Sequence, residues 1–229
     1  MTAPDAVSHS ASAQRIVVAA ERLFAAHGID GVSLRQIAVE GGSANNSAVH
    51  YYFKSKHGLI AAIFRHRLPQ LVSERRLLVA RCDPTDLRSR LEAQFLPVLT
   101  MAEAPDNHYV SFVEQLQRHE RGSPDNLLDL PADGQGSVDD FRRDLAELLT
   151  MHPAPLRAMR IAEAQAICIH AAADRERAVT AGSATVPFEL FANALLDGVA
   201  GFLSAPTSEA TRRHLDGAGD VHEAHLRLL

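Results

Sequence analysis

Residues 16–64 read IVVAAERLFAAHGIDGVSLRQIAVEGGSANNSAVHYYFKSKHGLIAAIF, and this run decides the fold. Ile16, Ala20, Leu23, Phe24 and His27 recur at the spacing of one helical face, and Gly28 stands where a left-handed C-cap belongs. Val32-Ser33-Leu34-Arg35-Gln36-Ile37 is a complete helix start, with Ser33 as N-cap, Gln36 closing a capping box and Val32 stapling to Ile37. Gly41-Gly42 ends that second helix in a turn of the length a helix-turn-helix needs. A short helical segment from Asn45 to Tyr52 follows, and Ser55 caps a longer helix.

Outward from this run the chain stays helical. Residues 1–11 are small and polar and are expected to form a disordered leader, with structure starting near Ser12. From Ser55 to about Cys82 the pattern is helical with Pro69 inside it, where the missing N–H and the ring predict a kink near Arg65. Further helices are predicted over about 85–103, 107–121, 137–151, 155–181 and 187–204, with a short one after Thr207 and a loop over Arg121–Gly136. Strand-like alternation and repeats are absent, so the predicted fold is all-α: a disordered leader 1–11, a helix-turn-helix domain 12–54 and a larger helical domain 55–229.

Composition excludes several classes. With 229 residues, 46% hydrophobic and 22% charged, the chain can bury a substantial core. No run of about eighteen apolar residues occurs, and MTAPDAVSHSASAQ has neither a basic nor an apolar signal region, so a cytoplasmic protein without a membrane partner is expected. Cys82 and Cys168 have no CxxC or CxxxH neighbourhood and read as buried small hydrophobes. The net charge of −5 divides unevenly: residues 1–68 hold seven Lys/Arg against four acids, +3, and the rest of the chain −8. A basic head on an acidic body fits a protein of which only one end meets phosphates.

The third helix carries the chemistry. NNSAVHYYF opens on a hydrogen-bonding turn, continues into aromatics and is followed by Lys54 and Lys56. Asparagine pairs bidentately with adenine, serine serves several bases, alanine can touch a thymine methyl, and lysine neutralises phosphate. The same residues would also serve as a solvated helix tip, and physics alone leaves both readings open.

The run resembles the DNA-binding domain of the TetR family of bacterial transcriptional regulators. The resemblance rests on Leu23-Phe24 ahead of Gly28, Ser33-Leu34-Arg35 followed by Ile37-Ala38, the glycine turn, Tyr52-Phe53 closing the third helix, and Ser55-Lys56 before the linking helix. It implies that Arg35 reaches DNA, that Asn45, Asn46, Ser47 and Ala48 face base edges, and that Tyr51 and Lys56 hold phosphates. The family usually has Gly or Pro near Ser47 and Tyr in place of His50; here His50 is expected to act as a neutral donor to phosphate, the other reading being a pH sensor. The implied partners are double-stranded DNA with a palindromic operator, a second copy of the chain, and a small organic effector; no cofactor or metal is expected.

Behind residue 70 the resemblance is only that of a helical, acidic domain. The stretch Ile161–Ala173 is apolar or small nearly all round, and Ala194, Gly198, Gly201 and Ala205 form a small-residue stripe along the last long helix. The family dimerises through these two helices, so the stripe is expected at a dimer interface, the alternative being an intramolecular core. Phe95, Leu99, Met101, Phe112, Leu116, Met151 and Met159 are the candidate lining of an effector cavity, the alternative being plain core.

An enzyme is the competing class. The chain has no G-x-S-x-G, Walker loop, G-x-G-x-x-G or H-E-x-x-H, and His222 and His225 read as a solvated tail. A constitutive architectural DNA binder without an effector is the remaining alternative.

Overall fold

A computed structural model of the chain describes residues 4–43, 47–120 and 132–215. These fold into α1 Pro4–His27, α2 Leu34–Glu40, α3 Ser47–Phe53, α4 Lys56–Val79, α5 Leu87–Met101, α6 Tyr109–Glu120, α7 Ala132–Leu148, α8 Ala154–Thr180, α9 Phe188–Ser204 and α10 Glu209–Leu215, with no strand among the described residues. Asn45, Asn46, most of the Arg121–Gly136 loop and the His222/His225 tail lie outside them.

Local capping chemistry sets the first boundaries. Gly28 adopts φ +74°, which closes α1 in the left-handed region that a side chain would oppose. The capping box is complete: Ser33 Oγ accepts from the Gln36 amide at 3.3 Å, and the Ser33 amide donates to Gln36 Oε1 at 2.8 Å. Ser55 Oγ accepts from the Gly58 amide at 3.1 Å and starts α4. Loss of the first cap by Ser33→Ala should cost about 1 kcal/mol in urea unfolding of the full chain. An unchanged midpoint would mean that tertiary packing alone holds α2.

Three boundaries differ from those read in the sequence. α1 begins at Pro4, ahead of Ser12. α7 begins at Ala132 and ends at Leu148, because Gly134 is pressed against α4 so closely that an added Cβ would lie 2.6 Å from Leu68 Cδ1. Close helix approach thus outweighs the weak helix propensity of Gly134. α4 contains Pro69, as expected, but ends at Val79, short of Cys82, and α5 likewise contains a proline, Pro97.

One hydrophobic core runs through the chain, from Ile16, Ile37 and Val49 at the front through Phe64 and Phe112 to Leu196 and Leu203 at the back. The expected division at residue 54 is therefore not a break in packing. α1 lies on α6, where Phe24 and Phe112 pack with ring centroids 6.1 Å apart, and Phe112 in turn meets Phe64 of α4 at 5.7 Å. Two polar contacts tie the same layers: Arg67 of α4 grips the buried Glu21 of α1 through two hydrogen bonds of 2.7 and 2.6 Å, and His119 Nδ1 lies 2.9 Å from Asp30 Oδ2. No single described helix is long and apolar enough to cross a membrane. Cys168 is buried, and burial pushes its thiol up to about 12; Cys82 is only half-buried, its thiol donating to Val79 O at the end of α4, which corrects the reading of both as core residues.

Candidate functional site

The front of the molecule is built around a close approach of the α2–α3 turn to α1. A Cβ on Gly41 would lie 2.9 Å from Ile16 Cγ1 and 3.0 Å from Ile16 Cα, so only glycine lets the turn sit there. Gly42, at φ +73°, then redirects the chain. Val49 is fully buried and plugs α3 into the core against the α1–α2 layer, which turns His50 and Tyr51 outward. Tyr51 is 75% exposed, with its ring edge-on to Tyr52 at 5.1 Å. Arg35 is exposed in the first turn of α2.

Among the expected DNA contacts, then, Arg35, His50 and Tyr51 stand on the surface. α3 includes Ser47 and Ala48 in its first turn, and Asn45 and Asn46 fall outside the described residues. His50 Nδ1 lies 3.2 Å from the Lys54 carbonyl oxygen, which accepts from it. A neutral ring donating there presents Nε2 as an acceptor, so only the imidazolium could also donate to a phosphate. Lys56 is also tied down: Nζ donates to the Ile29 carbonyl at 2.8 Å, binding the start of α4 to the loop after α1. The ammonium keeps two further donors.

Electrostatics favour this face for an anion. Between Glu40 and Glu74 the chain has no acid but holds Lys54, Lys56 and Arg65, besides the Arg67 that is paired with Glu21, and Glu40 itself is ion-paired with Arg22.

Behind this face, α4, α5, α6, α7 and α8 enclose a cavity of about 50 Å³. Of the seven side chains expected to line it, Phe95 does. Leu99, Phe112 and Leu116 are fully packed in the core, and Met101 is packed against it. Met151 and Met159 are 60% and 41% exposed, so neither belongs to a cavity. Met151 falls in the turn after α7, which ends earlier than predicted, and Met159 lies on the outer face of α8.

Four polar side chains that the sequence reading passed over also line the cavity: Arg75, Gln94, Tyr109 and Gln165. Arg75 Nε donates to the Gln94 carbonyl at 3.0 Å, and among the described residues no carboxylate meets its guanidinium. Burial pulls its pKa below the ordinary arginine value. Tyr109 is held at the first turn of α6, where Asn107 Oδ1 accepts its amide and the buried Glu176 carboxylate accepts the Val110 and Ser111 amides at 3.0 and 2.9 Å. Burial pushes the Tyr109 phenol well above its usual value and raises the Glu176 carboxyl, against the donors that pull it back. A signal for Arg75 was present: it follows Leu68 and Leu71 at i+7 and i+4, on the stripe that α4 buries.

At the back, α9 buries Ala192, Leu196, Val199 and Leu203 and leaves Ala194, Gly198 and Gly201 exposed, while Ala205 just beyond it is half-buried. A Cβ on Gly198 or Gly201 would meet nothing within 4 Å.

A buried-anchor helix presented beside an acid-free basic stretch, after a glycine turn and a capped helix, defines a helix-turn-helix DNA-binding unit. Residues 16–63 match the family described as bacterial regulatory proteins, tetR family. Over that stretch, from α1 into α4, the chain is similar to that family of regulatory proteins. Among curated proteins none matches it. Two solved structures are similar over most of its length. One is the HlyIIR mutant protein with a segment substituted by alanine, at 19% identity over 91% of this chain and 100% of that one, TM-score 0.42. The other is a candidate transcriptional regulator from Pseudomonas aeruginosa PAO1, at 20% identity over 95% and 93%, TM-score 0.39.

Proposed function

We propose that the chain is a homodimeric repressor that reads a palindromic operator with α3 and the turn before it, and releases the operator when a small organic effector occupies the cavity. The observation that carries the DNA-reading part is the outward face of α3, standing beside a stretch free of acids from Gly41 to Ser73. Asn45, Asn46, Ser47 and Ala48 read base edges, and Arg35, Tyr51 and the spare donors of Lys56 hold phosphates. The effector part is supported by the position of the cavity. α4 lines it through Phe64, Leu68, Leu71 and Arg75, and four residues before its Leu71 the same helix carries the Arg67 that grips α1. A ligand that shifts α4 therefore shifts the front layer with it, provided it binds the two arrangements unequally.

The test is selection of duplex sites from a random library, followed by titration at several salt concentrations. The expected result is a palindrome with half-sites about one helical turn, roughly 34 Å, apart, and a steep salt slope. Asn46→Ala should relax preference at one position by about 1–3 kcal/mol, whereas Lys56→Ala should weaken all duplexes alike and flatten the slope by about one. No preference for a selected site over random duplex would overturn the reading.

A further inference from the structure

The cavity is lined mainly by apolar side chains, and its one formal charge is positive. Among the described residues no acid lines it, so the Arg75 guanidinium faces the enclosed space with Nε spent on the Gln94 carbonyl and both terminal nitrogens without a carboxylate. A part-buried cation without a counter-charge is costly, and an anion brought into the space would offset that cost. The Tyr109 hydroxyl stands in the same lining, and no protein group among the described residues hydrogen-bonds to it. Its ring is fixed by the caps on α6, so its position is set before any ligand arrives.

We propose that the effector is a small organic carboxylate, its anion held by the terminal nitrogens of Arg75 and the hydroxyl of Tyr109, and its short apolar body lodged beside Phe95, Val98 and Val113. The two terminal nitrogens of a guanidinium match the two oxygens of a carboxylate, and the single cation suits a monoanion better than a phosphate dianion. The volume of about 50 Å³ is several times what one water requires, which favours an acid of about two to five carbons. Such a ligand is chosen by charge first and by chain length second. The inference rests on the reading of this cavity as the effector site.

The experiment is calorimetric titration and thermal shift of the full chain with acetate, butyrate and hexanoate, each beside its primary amide, and with inorganic phosphate. Butyrate is expected to bind and to raise the melting temperature, with butyramide at least about tenfold weaker and phosphate weaker still. Arg75→Met should cut butyrate affinity by about tenfold to a hundredfold and leave butyramide unchanged, abolishing the preference for charge. Tyr109→Phe should weaken butyrate by a smaller factor and serves as the same comparison if Arg75→Met does not fold. Amides binding as tightly as acids, phosphate binding more tightly than butyrate, or a preference that survives both substitutions would overturn the carboxylate and leave the effector site standing. Failure of every acid and every amide to bind would overturn both.

Discussion

Arg67→Ala should destabilise the protein by about 3–5 kcal/mol, because it strands a carboxylate inside. Glu21 is 1% exposed, and both of its oxygens accept from Arg67, whose side chain is 22% exposed. The Glu21 hydrogen bond is the foremost cause of the raised Arg67 pKa. What is lost on truncation is not the pair's net contribution, which desolvation largely offsets, but the partner of a charge that has no other route to water. The expected drop in melting temperature is roughly 6–20 °C, a large share of the stability of a chain this size. Urea unfolding of Arg67→Ala, Glu21→Gln and the double variant checks it: Glu21→Gln in the Arg67→Ala background should restore stability, since a neutral amide is cheaper to bury. Losses that simply add would mean that water reaches Glu21 and that the pair holds nothing.

The same pair shows why some of this molecule was legible in the sequence and some was not. Signals confined to a few neighbouring residues could be read directly: the Ser33–Gln36 capping box, Gly28 in the left-handed region and the Ser55 cap each depend on chemistry within four residues. The helix-turn-helix, and with it the exposed Arg35, His50 and Tyr51, followed from these. Contacts between distant residues gave no such sign. Glu21 and Arg67 are 46 positions apart, and each alone reads as an ordinary solvated charge on a helix. Gly134 and Gly136 read as loop until Leu68 is placed against the first of them. Met151 and Met159 were grouped with Phe95 by residue type, yet the end of α7 and the outward turn of α8 set both on the surface. Lys56 had the right charge for phosphate, and only the folded loop shows Ile29 claiming one of its donors. Arg75 lay on the buried stripe of α4, where a charge demands an explanation that residue type alone does not supply.

Gly198→Arg should leave the fold intact, convert the protein to a monomer and lower operator affinity by at least a hundredfold. Glycine in a helix interior costs about 1 kcal/mol relative to alanine, and α9 carries two, one turn apart, on its exposed side. Among the described residues neither approaches anything, since a Cβ at either would enter open space. A packing reason for them in a second copy is what this variant tests. Leu190 on the same helix is 58% exposed and Ile167 on the neighbouring α8 is 41% exposed, which gives a partner copy apolar surface to cover beside a face smooth enough for helices to approach closely. In the free chain an arginine at 198 has room and a better helix propensity than glycine, so the variant's subunit should be as stable as the parent or slightly more so. In a dimer the same side chain clashes and buries an unpaired charge. Loss of the dimer removes the tethering of two half-sites, worth about 10²–10⁴ in affinity without any change in the DNA contacts themselves. Sedimentation, urea unfolding and titration of a palindromic duplex on one preparation separate the outcomes. A variant that unfolds would place the glycines in an intramolecular contact, and one that stays dimeric with full operator affinity would move the interface to another face.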